Sequence, residues 1–254
     1  MSTVIAAIDN SAAARPVLVA ATGLARVLGA DVQAIYVAED EGQTARASAE
    51  SLGIPFTRLT GEPIREIAAR AASDDVVALA LGARRLVNER HIGHLARAVA
   101  NEIDKPVLVV PPEAAPVERF RTVLIAMEGT PAKARSIKAV LDVAAGADLQ
   151  VVVVHVDDES SIPSFSDQVA YETEAYAEEF LARYVHGAPK ARLELRVGVP
   201  ADEIVAASES IAADLLALGW PQSTDDDRGE VARDVLDRSH VPVLLVALAA
   251  MPGA

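Results

Sequence analysis

The chain is written twice. VIAAIDNS at residues 4–11 returns as VLIAMEGT at 123–130, with Asp9 and Glu128 119 positions apart. LGAD at 28–31 returns as AGAD at 145–148, 117 positions on. TGEPIREIAARAA at 60–72 returns as VGVPADEIVAASE at 197–209, and DDVVALALGA at 74–83 as IAADLLALGW at 211–220, both 137 positions on. DKPVLVV at 104–110 returns as HVPVLLV at 240–246, with Pro106 and Pro242 136 positions apart. An order kept through so many segments means duplication. A copy this long can bury its own core, so two homologous domains are expected rather than a solenoid. The rise in offset gives the second copy about 18 extra residues, within SSIPSFSDQVAYETEAYAEEFLARY. The proline-rich PPEAAPVE at 111–118 marks the junction. The expected units are residues 1–112 and 121–248, joined by a linker at 113–120.

Each copy alternates strand and helix signals. VIAAI is a short continuous apolar run, as a strand buried on both faces requires. Val17, Ala21, Leu24 and Leu28 fall at helical spacing, and Gly29 stops that helix. DVQAIYV is a second strand, and the more polar FTRLTG a third that suits an edge. Pro63 opens a helix, where its missing N–H costs little. Ile64, Ile67, Ala68 and Ala71 give that helix one apolar face. VVALALG, the helix HLARAVANEI and PVLVV complete the copy. VLIAM, LQVVVVHV, LELRVG, LLALG and PVLLV are the strands of the second. The pattern predicts an α/β fold with doubly wound parallel sheets. YETEAYAEEFLARYV at 171–185 reads as an amphipathic helix with an acidic outer face, carrying Tyr171, Ala175, Glu178 and Glu179. It would cover the second sheet or meet a partner.

Composition narrows the function. Apolar residues make up 51 % of the 254, yet aromatics only 4 %. Ala, Val and Leu carry the core, which suits helices on a parallel sheet. A net charge of −14 repels phosphate backbones and anionic lipid, so neither nucleic acid nor membrane is an expected partner. The absence of cysteine excludes disulfides, thiolate metal sites and cysteine catalysis. No leader pattern and no apolar run of membrane-spanning length is present, so the cytoplasm is the expected compartment.

Two places carry chemistry. Asp9 ends the first strand, beside the switch point where doubly wound sheets bind ligands. Its oxygens could accept from loop amides, ribose hydroxyls or a metal-bound water. Equally, Asp9 or Ser11 could cap the next helix. The second place follows the fourth strand. Gly82 leads to Arg84, Arg85 and Arg90, then to Gly93-His94 at a helix start. Such a loop offers backbone N–H groups and a favourable dipole to phosphate, and arginine adds bidentate donors. A solvated turn reads the same way. His91 and His94 could share a metal, but no third ligand is evident and none is assigned. His155 reads as a pocket-lining or satisfied core histidine. Ser11 and Thr130 lack an evident base, so no nucleophile, and no enzyme, is expected.

VIAAID, TGEPIREIA, VVALALGARR, Gly93-His94 and DKPVLVVPP, in that order, resemble the universal stress protein domain. The resemblance spans nearly the whole chain, twice over. It implies a tandem member with two five-stranded sheets of strand order 3-2-1-4-5, related by a pseudo-twofold axis. In that family some members bind ATP. Those carry an acid closing strand one and a loop of Gly, two residues, Gly, nine residues, Gly, then Ser or Thr. Asp9 matches the acid, beside ribose and phosphates. Val37 and Ala38 match the segment that holds adenine through its backbone. Gly82 matches the first glycine, and Arg85 stands where the second belongs. Gly93 matches the third, ten residues after Gly82 where the motif has twelve. His94 replaces the hydroxyl residue. The implied site for ATP, with Mg²⁺ accompanying it, is thus Asp9, Val37, Ala38, Gly82, Arg84, Arg85, Gly93 and His94. In the second copy Glu128 replaces aspartate, Trp220-Pro221-Gln222 follows Gly219, and Asp225, Asp226 and Asp227 lie where phosphates would. Gly229 there precedes Glu230. That half is expected not to bind ATP, its acidic run being either an oxygen-ligand site for Mg²⁺ or Ca²⁺ or a solvated loop. Family dimers form through the final strand, which a tandem chain can pair internally, leaving a further homodimer open. The alternatives are an interaction scaffold without nucleotide and a slow Mg²⁺-dependent ATP hydrolase.

Overall fold

A computed structural model describes residues 1–38, 40–83, 94–128, 138, 140–144, 146–157, 169–185, 188, 190–222 and 229–248. For His94 and residues 169–174 it describes the backbone alone. The first half supplies strands β1 (Thr3–Ala7), β2 (Asp31–Val37), β3 (Phe56–Leu59), β4 (Val76–Gly82) and β5 (Val107–Val110). The second supplies β6 (Thr122–Ala126), β7 (Gln150–Asp157), β8 (Arg192–Val197), β9 (Leu215–Trp220) and β10 (Val243–Ala247).

All ten lie in one sheet, ordered β3-β2-β1-β4-β5-β10-β9-β6-β7-β8. Each half therefore has the order 3-2-1-4-5, and the two halves mirror each other about a central seam. Pairing is parallel within each half. At the seam β5 and β10 run antiparallel, with Leu108 opposite Leu244. The apolar last strands thus satisfy each other, and neither is left as an open edge.

The helices bounded by described residues include α1 (Ala14–Leu28), α2 (Gln43–Glu50), α3 (Pro63–Ala71), α4 (His94–Glu102), α5 (Val169–Tyr184), α6 (Pro200–Ser210) and α7 (Glu230–Arg238). They form a layer on each face. One core gathers Val4 and Ala6 of β1 with Leu18 and Leu24 of α1, and extends to Leu141 and Phe180 of the second half. The other gathers Ile5 and Ala7 with Ile67, Val99, Ile204 and Val235. Alternate residues of β1 enter opposite cores, which is why VIAAI is apolar throughout. No helix among the described residues is long and apolar enough to cross a membrane.

The strand ladders reproduce the offsets read from the sequence. Val4 pairs with Ala78 as Val123 pairs with Leu215, which keeps the offsets 119 and 137. The match of LGAD to AGAD is corrected. Gly29 ends α1 in the left-handed region at φ 62°, and the residue 119 positions on is Asp148, at φ 54°. The Ala30 and Leu149 N–H groups donate to Ala25 and Ala144, again 119 apart. The shared Gly-Ala-Asp string is therefore two residues out of structural register. The helix-opening glycines do correspond: Gly61 (φ 135°) and Gly198 (φ 144°) precede α3 and α6.

Two features had little sequence signal. Helix α2, QTARASAE, buries only Ala45 and Ala49, so no large apolar stripe announces it. The segment at 113–120 is packed rather than free. Ala114 and Phe120 are buried, and Glu118 O accepts from Arg26 at 2.7 Å. Gly23 of α1 makes room, since a Cβ there would lie 3.1 Å from Val117 O and 3.2 Å from the Phe120 ring.

Candidate functional site

A cavity of about 670 Å³ opens at the carboxyl ends of β1, β2 and β4. The strand order reverses between β1 and β4, so the cavity lies where doubly wound sheets expose their strand ends. Asp9, Val37, Ala38 and Gly82 all line it. Four of the eight residues read from the sequence are thus brought together. Arg84, Arg85 and Gly93 lie outside the described residues, as does His91. His94 opens α4, and the next residue, Leu95, lines the cavity.

Asp9 does not cap α1. The N-cap is Ala13, which has no side-chain cap. Instead, Asp9 Oδ1 accepts from Ser11 N–H at 2.9 Å and from Ser11 Oγ. Ser11 Oγ in turn accepts from Ala13 N–H at 3.2 Å. This relay turns the chain from β1 into α1 and holds the carboxylate at the cavity.

Among the described residues, Gly82 leaves room at its strand end: a Cβ there would meet Val17 at 3.5 Å and Ala13 at 3.9 Å. Ala38 N–H already donates to Leu59 O at 3.3 Å. A base held along this segment would therefore need backbone groups other than that amide. Ile35, Val37, Ile67, Leu81 and Leu95 make much of the wall apolar.

The mouth is tied by a network that sequence reading missed. Asp40 Oδ1 accepts from Tyr36 OH at 2.7 Å, from Gly42 N–H at 2.8 Å and from Asn10 Nδ2 at 3.3 Å. Asn10 Nδ2 also donates to Tyr36 OH at 3.0 Å, and Asn10 Oδ1 accepts from Ala45 N–H at 3.0 Å. The β1–α1 turn, the end of β2 and the start of α2 are thereby joined. The Tyr36 hydroxyl, then Gly42 N–H, hold Asp40 below the usual carboxylate value. The same hydrogen bond to Asp40, followed by burial, pushes Tyr36 above the usual tyrosine value. The only sequence hint was the polarity of Asn10 and Asp40 directly after two apolar strands.

The second half repeats the position with different contents. A cavity of about 500 Å³ is lined by Glu128, Gly219, Gly229, Glu230 and Leu248, among others. Leu248 covers the glycine: a Cβ on Gly219 would lie 2.7 Å from Leu248 Cδ2. His155 stands where the first half has Tyr36, because Thr3–Asp31 and Thr122–Gln150 are equivalent pairs. Its Nδ1 lies 2.8 Å from Met127 O and its Nε2 3.3 Å from Asp157. Phe180 of α5 packs on it at 4.9 Å between ring centroids. Both ring nitrogens are thus partnered, and the histidine lines a smaller cavity of about 130 Å³ beside the larger one. Asp225, Asp226, Asp227 and Thr130 lie outside the described residues. Among the described residues no group of three or more His, Asp or Glu side chains could hold a metal ion.

Comparison with known proteins adds the relationship. A model described as the universal stress protein family matches residues 119–247. A universal stress protein of Methanocaldococcus jannaschii is 27 % identical over 139 residues, 50 % of this chain and 82 % of that protein. The crystal structure of a universal stress protein from Archaeoglobus fulgidus superposes with TM-score 0.68 at 17 % identity, covering 97 % of this chain and 98 % of that one. A further Archaeoglobus fulgidus universal stress protein, solved in complex with dAMP, covers 51 % of this chain and 98 % of its own, at 19 % identity and TM-score 0.38.

Proposed function

The chain belongs to the universal stress protein family, and from that premise we propose that it is a cytoplasmic regulatory protein that binds an adenine nucleotide in its first half and acts without turning it over. The observation that carries this reading is the 670 Å³ cavity at the switch point, with Asp9 and Gly82 in one wall and no close neighbour over Gly82 among the described residues. Its volume lies within the ordinary range for small-molecule sites, roughly 300–1,000 Å³. The residues present suit the ligand. Apolar side chains would flank the base, Asp9 would accept from ribose hydroxyls, and the open strand end at Gly82 would admit a phosphate. Mg²⁺, where a triphosphate binds, would arrive on its phosphates.

The second half would be structural toward nucleotides. Leu248 occupies the space over Gly219, and Glu128 and Glu230 bring negative charge to that cavity. A phosphate there would meet a side chain and two carboxylates instead of open backbone.

Calorimetric titration of ATP with Mg²⁺, with AMP as a second arm, tests the proposal. One site per chain is expected, lost in Asp9→Ala. Asp9→Asn keeps an acceptor for the Ser11 turn but removes the charge, and should bind more weakly than wild type. No heat from the wild type, with no nucleotide released on denaturing it, would overturn the reading in favour of an interaction scaffold. Steady phosphate release would overturn the claim that nothing is turned over.

A further inference from the structure

We propose that β8, the outer edge of the second half, is an interface at which a second copy of this chain docks and extends the sheet across a twofold axis. β8 has β7 on one side and, among the described residues, no strand on the other. Gly198 N–H donates to Asp157 O at the end of β7. By the alternation of a parallel ladder, Glu194 and Arg196 then direct their backbone groups to β7, while Leu193, Leu195 and Val197 turn theirs outward. Such a row is a template for another strand.

The edge sequence RLELRV is complementary to itself about Leu195. Antiparallel pairing of two copies centred there sets Leu195 opposite Leu195, Leu193 opposite Val197 and Glu194 opposite Arg196. One face of the joint is then apolar and the other joins opposite charges. The outward residues form the hydrogen-bonded pairs, with about six backbone bonds in all. Neighbouring registers are worse. Centring on Glu194 sets Arg192 against Arg196, and centring on Arg196 sets it against itself, and like charges across a ladder are destabilising. Centring on Leu193 pairs only residues 192–194 of the strand. Val197 is 48 % exposed, and the second copy's Leu193 would cover it. Arg196 already lies along this edge, 2.9 Å from Glu194 and 3.8 Å from Glu203 of α6, so the joint would not bury a lone charge. The opposite edge, β3, is unsuited. It has four residues, and its one charge, Arg58, is held by Asp40 O at 3.0 Å and Glu41 at 3.1 Å. No register offers that arginine an acid of a second β3. The joint at β8 would repeat between chains the antiparallel seam that β5 and β10 make within one.

Sedimentation velocity of the full chain over a range of concentrations tests this. A reversible monomer–dimer equilibrium is expected, with a dissociation constant of roughly 10–100 µM for so small a contact. Glu194→Arg and Arg196→Glu should each remain monomeric where the wild type dimerises, because each sets like charges opposite one another. An equimolar mixture of the two should dimerise again, since the two edges then carry opposite charges. Val197→Lys, at an exposed position that keeps the fold, should weaken the dimer about tenfold or more. Circular dichroism checks that each variant is folded. If either charge variant is not, Val197→Lys decides: weakened dimerisation supports the interface and wild-type dimerisation overturns it. A wild type that stays monomeric to about 0.5 mM, folded charge variants that dimerise like the wild type, or a mixture of them that stays monomeric would each overturn the proposal.

Discussion

At the scale of single residues, two copies of one turn are solved with different side chains. Gly29 takes a left-handed conformation without strain, while Asp148 takes it with a Cβ. Ala212 at φ 51° does the same after α6. Ala212→Gly should therefore stabilise the protein by about 0.5–1 kcal/mol. A chain of this size should respond with a rise in melting temperature of about 1–4 °C, read by calorimetry. The Tyr36–Asp40 pair makes a pH prediction. Asp40 is depressed in the folded state, so its contribution exists above its unfolded value near 4 and is lost as pH falls through the lower folded value. Tyr36 is raised, so its contribution is complete below about pH 10 and is lost as pH rises through the folded value. In melting temperature against pH, Asp40→Asn should flatten the acid limb and Tyr36→Phe the alkaline limb. An Asp40→Asn profile parallel to wild type would refute the role given to that carboxylate.

At the scale of elements, α4 touches both halves. Its first turn reaches the first cavity through Leu95. Near its other end Asn101 Oδ1 accepts from buried Trp220 Nε1 at 2.8 Å. Ile103 O, just beyond the helix, accepts from Gln222 Nε2 at 2.6 Å. Asn101→Ala would leave the indole N–H without that acceptor, at a cost of about 1–3 kcal/mol. Denaturant unfolding followed by tryptophan emission should show a lower midpoint and a red-shifted native spectrum. An unchanged midpoint would mean that the bond contributes nothing. α5 shows how an insertion is used. Its Phe180 is buried against His155, while Glu178 and Glu179 face outward.

At the scale of the whole molecule, the seam makes one body of two copies. Both hydrophobic cores run across it, and the 113–120 segment lies along α1 rather than acting as a tether. The chain should therefore unfold in one calorimetric transition. Leu108, fully buried opposite Leu244, tests this. Leu108→Ala should cost about 2–5 kcal/mol and move the single transition down. Two separated transitions in the wild type would show that the halves are independent.

Much of this was legible because it depends on local pattern. The strands were visible as apolar runs, α1 from its spacing and its terminal glycine, and the duplication from offsets that the ladders reproduce. Asp9, Val37, Ala38 and Gly82 could be grouped because parallel α/β topology sends all strand ends to one side. Other features rest on residues far apart in the chain, whose meeting no local pattern encodes. Tertiary structure alone turned Asp9 from a possible helix cap into the anchor of the Ser11 turn, joined Asn10 to Tyr36 and Asp40, and consumed the Ala38 amide at Leu59. It also laid Leu248 on Gly219, while among the described residues nothing so close covers Gly82. Periodicity specifies which face of an element is buried. Which side chain fills the space above a glycine is decided only when the sheet brings β9 and the residue after β10 side by side.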